Sequence, residues 1–405
     1  MPEKYLKEYE VGFTPRLVME EASRCLLCHD APCSSSCPAG TDPAKFIRSV
    51  RFKNVKGAAE TVRINNILGA ICARVCPTER YCQQGCSRSG IDKPIDIGRI
   101  QRYITDFEDA TKMNILEVKP FNGKTVAVVG SGPSGLATAG YLAMDGYKVT
   151  IYERNVKAGG YLRYGIPEYR LPNAVVDKEI KRIQKLGVEI VCNHEITDLE
   201  DLKKRYDAVV LAIGHSKGKI LPLFAGKRFV KVAVDFLKDV KRRKGEIKVP
   251  ENVLVIGGGD VAMDTVTTLK LLGVKQVTDV VYETFEEFKA SKKELEGAQK
   301  EGVTIIDGYV PVALSGKTVK FKHRYIQSEL KIKADLIILA VGQYTEAGLF
   351  DLEVSKTQEV KENDNLIKDN LFAAGDIAHG EKTVVYAVRS GKEVAYRVKQ
   401  FLEGK

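Results

Sequence analysis

The sequence predicts an α/β protein in which a helical, cysteine-bearing domain precedes two nested units of alternating strand and helix. Three observations carry that expectation. Eight of the nine cysteines lie between Cys25 and Cys86. The segments flanking them repeat apolar residues every three or four positions, as one face of a helix requires. From about residue 121 onward an apolar strand, a glycine turn, a helix and a second strand follow one another, and the pattern occurs twice. The expected organisation is a helical domain over 1–120, a discontinuous unit formed by 121–235 with 344–405, and a unit over 236–343 inserted into it.

In the first domain the cysteines form two runs, Cys25-x2-Cys28-x4-Cys33-x3-Cys37 before Pro38, and Cys72-x3-Cys76 before Pro77 followed by Cys82-x3-Cys86. Thiolates at such intervals can turn inward around a cubane, and a proline after the cysteine turns the chain away from it. Two 4Fe-4S clusters need eight ligands. A disulfide scaffold suits short secreted chains, whereas this chain has 405 residues and begins PEKYLKEYE after Met1, with no apolar leader. Zinc sites favour paired CxxC or added histidines, and only His29 lies near. Helices are expected over 44–65 and 96–113, framing both cysteine runs, and PFNGK at 120–124 reads as a boundary.

Composition fits a soluble, cytoplasmic protein of two or three domains. The net charge of +10 comes from lysines and arginines scattered among acids. There is no basic stripe with a recognisable module, so nucleic-acid binding is not expected. The run Lys241-Arg242-Arg243-Lys244 reads as a solvated helix end. No stretch of about 18 apolar residues suggests a membrane span.

The second unit opens with TVAVVGSGPSGLATAGYLAMDGYKVTIYER at 125–154. Gly130 permits a tight turn, Gly132 lets the backbone approach a pyrophosphate, and Gly135 lets helix and strand pack closely. The phosphates then sit at the helix N-terminus, and Glu153 at the end of the next strand can accept ribose hydroxyls. The pattern recurs at 252–283 with Gly257, Gly259, Asp260 and Ala262 after a strand and Glu283 closing the next one. Two Rossmann-like units imply two dinucleotides. Near the C-terminus a strand ends in Gly375-Asp376 and a helix begins near Thr383; the aspartate could accept hydrogen bonds from a ribityl chain and the helix N-terminus could face an anionic flavin ring.

The segments CLLCHDAPCSSSCPAGTDPAKFIRSV, GAICARVCPTERYCQQGC and PIDIGRIQRY together resemble the N-terminal domain shared by dihydropyrimidine dehydrogenases and glutamate synthase small subunits. VVGSGPSGL, AGGYLRYGIPEYRLP, VIGGGDVAMD and FAAGDI extend the resemblance along nearly the whole chain, whose length is similar to that of the small NAD-linked subunits of bacterial NAD-dependent dihydropyrimidine dehydrogenases. The resemblance implies one cluster on Cys25, Cys28, Cys33 and Cys86, and a second on Cys37, Cys76, Cys82 and Gln101. Gln101 stands where dihydropyrimidine dehydrogenases carry an unusual glutamine ligand and glutamate synthase subunits tend to carry glutamate. Cys72 would be left over, yet eight cysteines for eight sites is the simpler count, so Cys72 and Gln101 compete for the eighth position.

The same resemblance implies that Gly159, Gly160 and Tyr161 pass under an FAD, that Arg170 lines the cofactor cleft, and that Asp376 and Thr383 hold the ribityl chain and ring. NADPH-preferring relatives carry an arginine pair after the second unit's strand; here the residues are Tyr282-Glu283-Thr284-Phe285-Glu286-Glu287, so NADH is favoured over NADPH unless Lys289 or Lys292 supplies the charge. The implied chemistry runs from NADH to flavin and onward as single electrons through the two clusters, with placement and tuning rather than acid–base catalysis as the protein's part. No redox cysteine pair accompanies either dinucleotide unit. Residues 236–343 contain no cysteine, and Cys192 in GVEIVCN reads as a buried strand residue. No FMN barrel follows within the 405 residues, so the resemblance implies a separate catalytic FMN and iron-sulfur subunit that reduces uracil or thymine, or runs the reverse reaction. A glutamate synthase-like, electron-bifurcating or sulfur-reducing subunit is the rival of the same architecture; a non-catalytic redox scaffold or sensor is the rival of another class.

Overall fold

The computed structural model describes residues 2–404 and divides into two compact units. One comprises 10–163, 173–214 and 345 to the C-terminus; the other comprises the segment up to Tyr9, Tyr164–Pro172 and His215–Tyr344. The cysteine-bearing helices and the first fingerprint thus share a unit. The second fingerprint belongs to a unit that begins before 236 and also holds two short segments from earlier in the chain.

In the first unit the helices Pro15–Ser23, Pro43–Arg51, Val55–Asn65 and Ile97–Ala110 pack around Val18, Phe46, Ile47, Val50, Val62, Ile100 and Ile104. The helical periodicity of 44–65 and 96–113 appears as these amphipathic helices. Asp42, Asn54 and Asp96 cap three of them by accepting from the amides of Lys45, Gly57 and Arg99. A wholly buried guanidinium ties this bundle to the helix Asn173–Lys185: Arg63 donates to Glu108 at 2.7 Å and to Glu179 at 2.8 Å. Arg182 pairs with both carboxylates as well, so two cations meet two buried acids, as burial requires.

The rest of this unit is a six-stranded sheet in the order Leu366–Lys368, Leu371–Ala373, Ala208–Leu211, Thr125–Val129, Lys148–Glu153, Glu189–Cys192, parallel except for the first pair. The strands read as apolar runs because helices cover them. Helix Pro133–Met144 packs along the long C-terminal helix Val384–Leu402. Cys192 ends the edge strand half-buried, not enclosed, because an edge strand has a neighbour on one side only.

The second unit holds a five-stranded parallel sheet, Val230–Val232, Leu336–Leu339, Asn252–Ile256, Gln276–Val280, Thr304–Ile306, with the antiparallel strands Tyr309–Ser315, Thr318–His323 and Glu329–Lys333 packed on one face through Val319 and Phe321. On the opposite face the helices Ala233–Arg242 and Asp260–Leu271 share a core with Tyr5 and Tyr169. Lys241 departs from the expected solvated helix end: it is buried and donates to the carbonyls of Ile166 at 2.5 Å and Leu171 at 3.0 Å. The loop 164–172 offers carbonyls that no strand or helix satisfies, and the ammonium supplies the donor. Among the described residues no helix is long and apolar enough to cross a membrane.

Candidate functional site: two cysteine groups and two closed fingerprints

A pocket in the first unit is lined by Cys25, Cys28, Cys33 and Cys86, together with Leu26, Pro32, Ile47 and Ile97. Four thiols from two separate runs meet on an apolar floor, a donor set that fits an iron-sulfur cluster. Among the described residues no three His, Cys, Asp or Glu side chains converge as tightly as a single metal ion demands. A mononuclear zinc needs every sulfur about 2.3 Å from one point. Burial pushes the Cys33 thiol up to about 11, with Cys86 and Cys25 adding to the rise, and raises Cys25 in the same way. Thiolates are the ligating form, so loading the pocket releases protons.

The other four cysteines of the two runs gather in a second group. Burial pushes Cys76 well above the ordinary thiol value, and its neighbours Cys72, Cys82 and Cys37 push it further; Cys72 rises to about 12, again chiefly from burial. Cys37 accepts from the Thr41 amide at 3.4 Å, a bond of the kind that tunes a ligating sulfur. Cys72 lies on the short helix Gly69–Val75, and Gln101 on the helix packed against it. The buried Gln101 donates its Nε2 to the Gly69 carbonyl at 2.7 Å, which leaves Oε1 as the amide's electron-donating atom. The structure brings Cys37, Cys72, Cys76 and Cys82 together, and ties Gln101 to Gly69 at the start of the helix that carries Cys72.

At the first fingerprint Gly130 has a φ of +105°, and a Cβ there would stand 2.5 Å from the Ala212 carbonyl oxygen, so only glycine makes this turn. Gly132 precedes helix Pro133–Met144 with open space around the position of a Cβ, and the amides at that helix end are the natural seat of a pyrophosphate. Glu153 folds back onto the turn. One oxygen accepts from the Ser131 amide at 3.2 Å and from its hydroxyl, and the other accepts from the Asn155 amide at 2.8 Å. The Gly159 amide donates to Ser131 Oγ at 3.0 Å, and a Cβ on Gly160 would lie 2.7 Å from Gly132 Cα. Gly159 and Gly160 therefore rest on the fingerprint, with half-buried Tyr161 next in the chain. On the same sheet Gly375 donates its amide to Ser390 Oγ at 2.9 Å, Asp376 follows half-buried, and Thr383 caps helix Val384–Leu402 by accepting from the Tyr386 amide.

The start of the C-terminal helix also has a neighbour that no motif in the sequence announces. Tyr81, between the second-run cysteines Cys76 and Cys82, donates its hydroxyl to Glu381 at 2.5 Å and lies 3.5 Å from Thr383 Oγ1. This contact joins the second cysteine loop to the start of the C-terminal helix. No spacing pattern links residues 300 positions apart.

The second fingerprint is closed by its own following loop. Ala290 donates its amide to the Gly258 carbonyl at 3.1 Å, and Ser291 donates its amide and hydroxyl to Asp260 at 2.6 and 2.9 Å. Glu283 returns to the turn, its Oε2 2.8 Å from where a Gly258 Cβ would be, and pairs with Lys289 at 2.7 Å. Gly257 makes the turn, Gly259 precedes the helix and Ala262 is buried in its first turn. Asp260 is thus committed to Ser291. Arg170 lies in this second unit: its guanidinium grips Asp264 at 2.8 and 2.7 Å and Glu294 at 2.9 Å, which accounts for its charge within the unit's own interior.

Residues 2–113 match the family described as dihydropyrimidine dehydrogenase domain II, 4Fe-4S cluster, and residues 124–391 match pyridine nucleotide-disulphide oxidoreductase. The chain is 52% identical over its full length to the NAD-dependent dihydropyrimidine dehydrogenase subunit PreT of Escherichia coli, covering 99% of that protein. It is 29% identical to the small chain of Azospirillum brasilense glutamate synthase [NADPH], over 98% of this chain and 92% of that one. In fold, 69% of the chain superposes on 99% of T. acidophilum thioredoxin reductase with a TM-score of 0.55 at 17% identity.

Proposed function

Because the chain belongs to the family of the PreT subunit of NAD-dependent dihydropyrimidine dehydrogenase and is an NAD-dependent flavoprotein oxidoreductase with an iron-sulfur domain, we propose that it is the electron-input subunit of a pyrimidine-reducing complex. In this reading FAD rests on the first fingerprint, NADH on the second, and two 4Fe-4S clusters on the two cysteine groups. The observation that supports it best is the pocket of Cys25, Cys28, Cys33 and Cys86 in the same unit as the first fingerprint. The partner would be a catalytic subunit with FMN and its own clusters, acting on uracil or thymine in either direction.

A flavin takes two electrons at once from a nicotinamide and returns them singly, and iron-sulfur clusters carry them one at a time. The chain's own residues bind and orient. Glu153 and Glu283 would accept ribose hydroxyls alongside the contacts they make with Ser131, Asn155 and Lys289, Gly132 and Gly259 leave the helix ends open to phosphates, and Thr383 with the amides behind it would face the negative charge of the flavin ring. Cys25, Cys28, Cys33 and Cys86 would hold one cluster, and Cys37, Cys76, Cys82 and Gln101 the other. Gln101→Ala should alter the electron paramagnetic resonance of one reduced cluster while Cys72→Ala leaves it intact; the reverse result would make Cys72 the ligand.

The test of the whole reading is anoxic purification of the chain from its host with whatever accompanies it, followed by assay of NADH-dependent reduction of uracil and thymine. A flavoprotein partner and pyrimidine turnover are the expected outcome. NADH oxidation with an artificial dye but no pyrimidine turnover would replace the substrate and keep the electron-input role; no NADH oxidation at all would sink that role.

A further inference from the structure

Two cations stand at the strand end that carries Glu283, and each is already held by an acid. Lys289 pairs with Glu283 at 2.7 Å, and Arg324 pairs with Glu287 at 2.7 Å. Arg324 comes from the turn between the antiparallel strands Thr318–His323 and Glu329–Lys333, 42 positions beyond the tyrosine it covers. Its guanidinium carbon lies 4.0 Å from the centre of the Tyr282 ring and 4.6 Å from that of Tyr325, and Nη1 donates to the Tyr282 carbonyl at 3.1 Å. Both oxygens of Glu287 are engaged, one by Arg324 and the Thr284 amide, the other by the Tyr325 hydroxyl at 3.1 Å.

The turn is held in shape. His323 Nδ1 accepts from the amides of Tyr325 and Ile326 at 3.1 and 3.2 Å, and the Arg324 amide donates to the Gly308 carbonyl at 2.8 Å. Around it Tyr282, Phe285 and Tyr325 are 54%, 47% and 61% exposed, an open aromatic surface beside the acid of the second fingerprint. A flat guanidinium stacked on tyrosine suits a purine ring.

We propose that Glu287 is a specificity-determining residue of the second nucleotide site, acting through Arg324. It orients the guanidinium as a stacking surface for adenine and withholds its charge from a ribose 2′-phosphate, while Glu283 does the same to Lys289. A phosphomonoester carries between one and two negative charges near neutrality, and two carboxylates at this end oppose it. The proposal rests on the reading that the second fingerprint takes NADH. The alternative role of the Glu287–Arg324 pair is a latch for the turn, which would affect both dinucleotides alike.

The full chain, with its cofactors loaded, is compared as wild type, Glu287→Gln, Arg324→Ala and the double variant. Binding of 5′-AMP and of 2′,5′-ADP is measured by calorimetry, and NADH and NADPH oxidation with an artificial dye is measured beside it. Glu287→Gln should raise affinity for 2′,5′-ADP relative to 5′-AMP by about tenfold at low salt, an effect that ionic screening erodes. The NADPH to NADH ratio of kcat/KM should rise with it, through the KM for NADPH. The gain should vanish in the double variant, because it needs Arg324. Retained 5′-AMP binding reports an intact fold in Glu287→Gln, and an unchanged thermal midpoint reports it in the two variants without Arg324, whose 5′-AMP affinity should fall with the stacking surface. An unchanged 2′,5′-ADP to 5′-AMP ratio in Glu287→Gln, or a gain that survives removal of Arg324, would overturn the proposal. A wild-type chain that uses NADPH as well as NADH would instead overturn the nucleotide reading on which it stands.

Discussion

Asp279 sits in the middle of the second unit's parallel sheet, in register with Val255 and Ile305, fully buried, and neither carboxylate oxygen has a hydrogen-bond partner. Burial alone pushes its pKa well above the carboxylate range. The folded protein therefore keeps a proton that the unfolded chain releases above about pH 3.9, and stability falls as pH rises from there, by at most about 1.4 kcal/mol per pH unit, until the folded group ionises. Asp279→Asn preserves the shape and removes the titration. Thermal unfolding followed from pH 5 to pH 8 should show a flatter dependence in that variant, and Asp279→Val should raise the midpoint at pH 8; an unchanged slope would mean that the acid is ionised in place. An aspartate inside an apolar strand stands in plain view in VTDVVYE, yet it belongs to no motif and was not singled out from the sequence. Arg170 shows the opposite case: its motif implied a cofactor wall, but the carboxylates that claim it, Asp264 and Glu294, lie about a hundred positions away and no spacing announces them.

At the scale of elements, glycine spacing made both fingerprints legible, because a turn this tight admits few residues. The acids Glu153 and Glu283 were legible as positions because each follows the second strand of its unit, 23 and 26 residues past Gly130 and Gly257. The closing partners were not. Gly159 at the first turn and Ala290 at the second act through backbone amides, and the hydroxyls of Ser131 and Ser291 belong to a residue type that no spacing marks out. Close helix contact was also hidden. A Cβ on Gly391 would lie 2.5 Å from the Ser134 carbonyl oxygen and 2.8 Å from Ala137 Cβ, so the C-terminal helix can approach helix Pro133–Met144 only through glycine. Gly391→Val should lower the thermal midpoint and reduce bound flavin in the purified protein, at a cost of about 1–3 kcal/mol for the overpacked contact. A variant with wild-type flavin content and midpoint would show that the two helices can separate without consequence.

On the scale of the whole molecule, neither unit is continuous in sequence. The second unit depends on a nine-residue N-terminal segment: Tyr5 is fully buried, its ring meets Tyr169 edge-on at a centroid distance of 6.2 Å, and its hydroxyl accepts from the Glu168 amide at 3.4 Å. The sequence reading assigned this segment to the cysteine-bearing domain because it precedes the cysteines and carries no motif of its own. Deleting residues 2–9 should therefore destabilise the unit of the second fingerprint by about 3–5 kcal/mol, the usual cost of emptying a buried aromatic site. Limited proteolysis should cut first within 215–344, while the iron content of the purified protein stays near that of the full chain. Cleavage confined to 10–120 would contradict the assignment.

That segment also imposes an order on synthesis. Tyr5 leaves the ribosome some three hundred residues ahead of Leu336–Leu339, the strand that completes the sheet over which it packs. At about 5–20 residues per second, it waits roughly 17–70 s for its partner to be made. The second cysteine loop waits too, since Tyr81 meets Glu381 and Thr383, which are translated some three hundred residues later. The first pocket draws its whole lining from residues 25–97, so its four thiols can gather and be filled long before the chain is released, while the second group lacks part of its surroundings until the end.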